Sequence, residues 1–216
     1  MAINLYFVRH GQTFLNKYHR IQGLSNAPLT EKGINDGIAA GKRLSQIEFN
    51  AAYSSDMQRA IDTAKYILKE NSSAIKTPTI STAFREENFG YFEGSDDQSV
   101  WHMIGSPKGA NTFNEMIDKF SMEKVVDMIA AADPYGDAET NQDIYDRFMP
   151  GLKDVISKAN DNDNVLIVAH GTLIRWLVSQ FDKSINVADS PKNGGVTKLV
   201  ANGDNDIKVE FFNKVD

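Results

Sequence analysis

The 216 residues include no cysteine, which removes disulfides, thiolate metal ligands and cysteine nucleophiles together. No apolar run approaches the roughly 20 residues that span a bilayer. The N-terminus has no basic region leading into a long apolar segment, so no signal peptide is expected. Positive charge is in deficit: 23 Lys and Arg against 29 Asp and Glu give a formal net charge of −6. That balance argues against nucleic acid or an anionic membrane as the main partner. Any anion site must be a local positive pocket on an acidic body. The four histidines show no His-x-His or His-Glu-x-x-His spacing, and no carboxylate cluster suggests a two-metal site, so no metal or other cofactor is expected. Repeats, low-complexity tracts and interdomain linkers are also missing. What remains, 41% hydrophobic and 24% charged residues, suits one soluble, cytoplasmic domain over 1–216.

Within it, apolar runs alternate with helical patterns. Leu5-Tyr6-Phe7-Val8 reads as a buried strand that stops on Arg9-His10-Gly11. Phe49 to Tyr53 is a second, shorter strand. Thr79 to Phe84 is a third, ending in Arg85-Glu86-Glu87. Asn164 to Ala169 is the clearest strand and again ends in His170-Gly171. Helices follow Thr30, an N-cap, with Ile34, Ile38, Gly41 and Leu44 on one face and small residues that let it sit close to the sheet. The next helix is capped by Asp56 or Ser55. A long one follows a capping box at Thr140 and Asp143 and is kinked or interrupted at Pro150-Gly151. The last runs over Leu173 to Phe181. Val196 to Val200 and Ile207 to Phe212 form a hairpin around Asn202-Gly203. Residues from about 91 to 138 break the alternation. They read as a small, mainly helical cap, with one helix from Thr112 to about Ala131 and Met103, Met116, Met122 and Met128 mostly packing it onto the body. The expected fold is a three-layer α/β/α domain with a mostly parallel central sheet flanked by helices, the cap insertion, and a C-terminal edge hairpin.

Parallel strands deliver their carboxyl ends to one side of a sheet, where ligands bind. Alone, Arg9-His10-Gly11 leaves open whether it is a plain strand exit into water or part of a site. Alternation brings it together with His170, Arg59 and either Glu86 or Glu87. Arg59 sits in the first turn of a helix, where a cation opposes the dipole unless an anion is nearby. Gly171 and Thr172 open a helix whose N–H groups favour an anion. Two guanidiniums and two imidazoles around one point suit a phosphoryl group. Histidine can attack it covalently, and a carboxylate can protonate the leaving oxygen.

Arg9-His10-Gly11 with Thr13 and Asn16, Pro28-Leu29-Thr30 with Gly33, Ser54-Ser55 with Arg59-Ala60 and Thr63, Arg85-Glu86 with Phe89-Gly90 and Glu93-Gly94, and Ala169-His170-Gly171 together resemble the histidine phosphatase superfamily, the phosphoglycerate mutase-like family. The resemblance runs from the first strand to the helix after His170 and is weakest in the cap. It implies that His10 carries a phosphohistidine, that Arg9, Arg59 and His170 hold the phosphoryl oxygens, and that Asn16 adds a hydrogen bond. Glu86 matches the proton donor, with Glu87 second. Thr13, Gln22 and Gly23 are candidates for the pocket rim, and His19 and His102 for the surface or rim. A small phosphorylated metabolite is the implied substrate and inorganic phosphate the product; a homodimer is left open. The family holds mutases and phosphatases. Mutases carry an arginine pair in the cap, an Asn-Glu-Arg-His-Tyr-Gly block and a loop tryptophan. Here residues 91–138 have no arginine, the block reads Arg85-Glu86-Glu87-Asn88-Phe89-Gly90, and the loop reads Arg20-Ile21-Gln22-Gly23-Leu24. These departures favour a metal-independent phosphomonoester hydrolase over a phosphoglycerate mutase-type phosphotransferase, with a non-catalytic phospho-ligand binding module third.

Overall fold

Residues 2–203 and 206–216 are described by a computed structural model. Its centre is one sheet of six strands: β1 (Ile3–Arg9), β2 (Ala51–Ser54), β3 (Thr79–Ile80), β4 (Asn164–Ala169), β5 (Val196–Ala201) and β6 (Ile207–Lys214). Their order is β3-β2-β4-β1-β5-β6. β3, β2, β4 and β1 are mutually parallel, while β5 runs antiparallel to β1 and to β6, which closes the edge as the expected hairpin. The register sets Arg9 opposite Ala169, so the two His-Gly exits leave the sheet side by side. His10 N–H still reaches the Ala169 carbonyl at 3.0 Å.

Side chains alternate across a strand, and both faces of β1 and β4 are covered. Leu5, Phe7, Val165 and Ile167 join Phe84, Phe148 and Trp176 in one buried cluster. Tyr6, Val8, Leu166 and Val168 join Ala60, Ala64 and Ile67 in another. The α-helices among the described residues are α1 (Phe14–Lys17), α2 (Glu31–Arg43), α3 (Gln58–Glu70), α4 (Asp97–Gly105), α5 (Phe113–Phe120), α6 (Met122–Ala132), α7 (Asn141–Lys158) and α8 (Gly171–Phe181).

Several elements differ from the sequence expectation. The third strand is only two residues long. After Ser81 N–H bonds the Ser54 carbonyl at 2.9 Å the chain coils into a 3-10 turn, which buries Phe84 edge-on against Phe7 and Phe148. Neither Ser55 nor Asp56 caps α3. The N-cap is Met57 without a side-chain bond, because Asp56 pairs with Arg85 and Ser55 with His170. The buried face of α2 is Gly33, Gly37, Ala40 and Gly41, with Ile34 and Ile38 only half-buried. The small residues bring α2 close to α3, not to the sheet: a Cβ at Gly37 would press on Tyr66, and one at Gly41 on Ile67 and Glu70. α7 runs unbroken through Pro150, which removes one hydrogen-bond donor without ending the helix. Gly151 leaves room there for Ala83. The single cap helix is two, α5 and α6, divided at Ser121, whose φ of 86° no helix tolerates. An additional helix, α4, surrounds Trp101. Met116, Met122 and Met128 are buried in packing, while Met103 is 53% exposed.

Candidate active site

The two strand exits and the turn after Phe84 meet at a cleft of about 610 Å³. Arg9, His10, Asn16, Gln22, Glu86, Gly171 and Thr172 line it, and the helical segment above contributes Asp97, Gln98, Trp101, Thr112, Phe113 and Asn114. Arg59 and His170 are not among the side chains that line the open cleft but lie close against His10 at its floor. They are buried, 1% and 0% exposed.

His10 leaves β1 where Gly11 permits a close crossing. A Cβ at Gly11 would collide with the Gly33 carbonyl, and one at Gly33 with the backbone of Gln12, so the turn and the start of α2 interlock through two glycines. Gly11 N–H donates to Thr63 Oγ1 at 3.0 Å. Asn193 Nδ2 donates to the His10 carbonyl at 2.9 Å. Nδ1 of His10 lies 2.8 Å from the Gly11 carbonyl oxygen. A carbonyl can only accept, so Nδ1 carries the proton and Nε2 keeps its lone pair. Burial, then Arg59, then Arg9, hold the imidazole well below its ordinary pKa, in the neutral form.

His170 packs against it, ring centroids 5.2 Å apart. Its Nε2 is 2.7 Å from Ser55 Oγ, itself an acceptor from Met57 N–H at 3.3 Å. Burial and Arg59 lower its pKa well below the usual value too. Arg59 donates through Nη2 to the Gly23 carbonyl at 2.7 Å and through Nη1 to that of Ser25 at 2.9 Å. Burial brings its pKa down to about 10, which still leaves it charged. Arg9 donates through Nη1 to Ser190 Oγ at 3.1 Å and to the Pro191 carbonyl at 2.6 Å. Three nitrogens of this shell, Arg9 Nε, Arg59 Nε and His170 Nδ1, are buried and have no hydrogen-bond partner.

Glu86 reaches the cleft and Glu87 does not. The α8 N-terminus does face an acceptor, and that acceptor is the carboxyl group of Glu86: Oε2 accepts Thr172 N–H at 2.9 Å and Oε1 accepts Leu173 N–H at 2.8 Å. Burial outweighs these bonds and raises the Glu86 pKa. Glu87 is fully buried with both carboxylate oxygens unpartnered. Burial, with Glu86 and Glu139 nearby, raises its pKa well above the usual range. Of the rim candidates, Gln22 lines the cleft, whereas Thr13 and Gly23 do not. Thr13 Oγ1 donates to Gln22 Oε1 at 2.6 Å, so it fixes Gln22 from below. Gly23 serves through its carbonyl, which Arg59 uses. Asn16 Oδ1 accepts Thr13 N–H at 3.2 Å and faces Asn193 Nδ2 at 3.5 Å. His19 lines the cleft mouth, 3.8 Å from Asp97. His102 is exposed and not among the lining residues.

Glu93 stands in the sequence only as part of a motif, and nothing there marks what it does. Its carboxylate accepts the N–H groups of Gly23, Leu24, Ser25 and Phe89, at 2.9–3.2 Å. The loop that holds Arg59 is therefore wound around one side chain. Arg147 on α7 was missed altogether. It pairs with Glu139 at 2.6 Å and donates to the carbonyls of Ala83, Arg85 and Glu86, bracing the segment that presents Glu86. Arg175 on α8, also missed, lines the cleft. Among the described residues no cluster of three His, Asp or Glu is arranged to hold a metal ion, and no helix is long and apolar enough to cross a membrane.

Comparison with known proteins agrees with this geometry. The family model described as histidine phosphatase superfamily (branch 1) matches residues 5–213. A 2,3-bisphosphoglycerate-dependent phosphoglycerate mutase of Neisseria meningitidis serogroup A is 31% identical over 196 residues, which cover 83% of this chain and 85% of that protein. A solved phosphoglycerate mutase from Bacillus anthracis shares 36% identity with a TM-score of 0.89, over 99% of this chain and 94% of that one. A mycobacterial glucosyl-3-phosphoglycerate phosphatase, 23% identical over 99% of both chains with a TM-score of 0.74, shares the fold.

Proposed function

Because the chain belongs to the histidine phosphatase superfamily, we propose that it is a metal-independent phosphomonoester hydrolase acting through a phosphohistidine on His10. The observation that carries this reading is the shell of buried, unpartnered nitrogens around His10. An unsatisfied buried donor costs about 1–3 kcal/mol, and phosphoryl oxygens would satisfy Arg9 Nε and Arg59 Nε. With Ser55 donating to Nε2 of His170, Nδ1 would supply a third N–H. His10 Nε2 attacks phosphorus, the N–P bond forms as the ester P–O bond breaks, and Glu86 gives its proton to the departing oxygen. Water then attacks phosphorus and returns a proton to Glu86, and the N–P electron pair goes back to His10. Asn16 and Gln22 border the phosphoryl position.

Hydrolysis is favoured over intermolecular transfer because the cap gives the cleft no cation. Its lining side chains are Asp97, Gln98, Trp101, Thr112, Phe113 and Asn114. A mutase must hold a phosphorylated acid while it reorients, away from water. The mutase reading draws on the names of the relatives and on Arg20 and Arg175, which line the cleft from outside the cap. One assay separates the two. Hydrolysis of p-nitrophenyl phosphate in EDTA, lost in His10→Ala, is expected. Interconversion of phosphoglycerates that requires a 2,3-bisphosphoglycerate primer, without net phosphate release by ³¹P NMR, would reverse the assignment.

A further inference from the structure

The chain between α8 and β5, residues 182–195, has no regular structure, yet it carries both acceptors of Arg9 Nη1. Its middle, Val187 and Ala188, is held by Arg175. That residue is 3% exposed and lies one turn beyond Gly171 and Thr172 on α8. Its Nε donates to the Val187 carbonyl at 2.7 Å, and its Nη2 donates to the Ala188 carbonyl. Two residues further along, Ser190 and Pro191 take the Arg9 guanidinium. Arg9 is in turn packed on Gly171, where a Cβ would meet Arg9 Cζ at 3.2 Å and Ser190 Oγ at 3.2 Å.

The other end of Arg175 faces the cap. Its Nη2 also donates to Asn114 Oδ1 at 2.9 Å, and its guanidinium stacks 4.8 Å above the Phe113 ring. Asn114 then donates through Nδ2 to Asp189 Oδ1 at 3.2 Å. Asn114, Arg175, Ala188 and Asp189 thus form a closed hydrogen-bonded patch linking the first turn of α5 to the segment that seats Arg9. Phe113 and Asn114 also line the outer cleft, where the organic part of a phosphomonoester would rest.

We propose that Arg175 is a positioning residue: it seats Arg9 through residues 187–191 and couples that seat to the cap through Asn114. The inference rests on the phosphoryl-transfer reading of the His10 site. Substrates that press on Phe113 and Asn114 then act on the grip at phosphorus as well as on ground-state affinity. A lysine at 175 keeps the charge but cannot fork to Val187, Ala188 and Asn114 together.

The test uses orthovanadate, a small phosphoryl mimic too short to touch the cap. Its inhibition constant is measured for the wild type, Arg175→Lys, Ser190→Ala and the double variant, with thermal melts alongside. Arg175→Lys is expected to weaken orthovanadate about tenfold and Ser190→Ala severalfold. The double variant should be little worse than Arg175→Lys, because both act through one seat. Multiplicative losses would overturn the proposal. So would unchanged orthovanadate affinity with a lowered melting temperature, the mark of a purely structural role. If Arg175→Lys does not fold, Asn114→Ala replaces it in the cycle, with a smaller loss and the same non-additivity. Wild type that shows no affinity for orthovanadate would instead remove the phosphoryl-transfer reading, and this inference with it.

Discussion

His10 and Glu86 have opposite electrostatic needs, and burial serves both. Exclusion from water disfavours whichever form is charged. It therefore keeps His10 neutral below the ordinary 6.5 and keeps Glu86 protonated above the ordinary 4.5. The proposed reaction needs that pair of states at once. The kcat/KM profile should thus be acid-shifted, with its acid limb below pH 6.5, where His10 takes a proton, and its alkaline limb above 4.5, where Glu86 loses one. A rate still climbing at pH 9 would count against Glu86 as the acid. In Glu86→Gln the alkaline limb should disappear, and kcat for an alkyl phosphate should fall about 10²–10⁴-fold. The loss should be smaller for p-nitrophenyl phosphate, whose leaving oxygen needs little protonation. Comparing the two substrates in one preparation is the check. At this scale the sequence was informative: adjacent residues in an extended segment face opposite ways, and that rule prefers one of Glu86 and Glu87. The tautomer of His10 was not legible, because the partner of its Nδ1 is a backbone carbonyl.

Helices, turns and loops do their work here through carbonyls and N–H groups gathered by single side chains. Glu93 holds the 23–25 loop, which in turn holds Arg59. Glu93→Gln exchanges a charged acceptor of four N–H groups for an amide, and hydrogen bonds to a charge are worth about 1.5–3 kcal/mol. The kcat/KM for p-nitrophenyl phosphate should fall roughly tenfold or more, measured with the thermal melt to separate loop disorder from global unfolding. Gly33→Ala tests the interlock between the His10 turn and α2. The added methyl meets the Gln12 backbone, and overpacking costs about 1–3 kcal/mol. Denaturant melts should show that loss, and activity should fall with it because His10 is on the displaced side. Gly33 stood in the sequence as part of a recognised block. Its reason did not, since it lies in the approach of two backbones. Arg147 was invisible for a related cause: three of its acceptors are main-chain carbonyls, which no residue type marks.

Across the whole molecule, the strand–helix alternation was enough to anticipate the sheet and the side on which its functional residues collect. The register of β1 on β4 then made His10 and His170 neighbours. The cap was less legible. Its helices are short, and the break at Ser121 depends on a positive φ that serine does not advertise. Glu87 is where the fold as a whole bears a cost. Its folded pKa is raised well above the value it has when unfolded. Between the two, the native state binds more protons than the unfolded state, so Glu87 lowers stability as pH rises from about 4.5 through its folded pKa. Glu87→Gln should match the wild type near pH 4.5 and become progressively more stable above it, levelling off past the folded pKa. Each 1 kcal/mol gained would appear as about 2–4 °C for a chain of this size. Melting curves across pH 4.5–9 test this; parallel curves for the two proteins would refute it. His10 and His170 tilt the other way, favouring the native state as pH rises toward 6.5. The two slopes partly cancel in the wild type and separate in the variant.

The carbonyl that fixes the proton of His10 belongs to Gly11, the next residue in the chain. Point mutation replaces side chains and leaves main-chain oxygens in place. The orienting partner of the nucleophile is therefore beyond the reach of ordinary substitution, unlike a carboxylate that a single codon change can remove. Descendants of this chain could drift widely at the rim and in the cap and still inherit a correctly protonated His10. They would lose it only by altering the path of the turn, which the contact between Gly11 and Gly33 guards. Inheritance of the chemistry here follows the inheritance of a backbone shape.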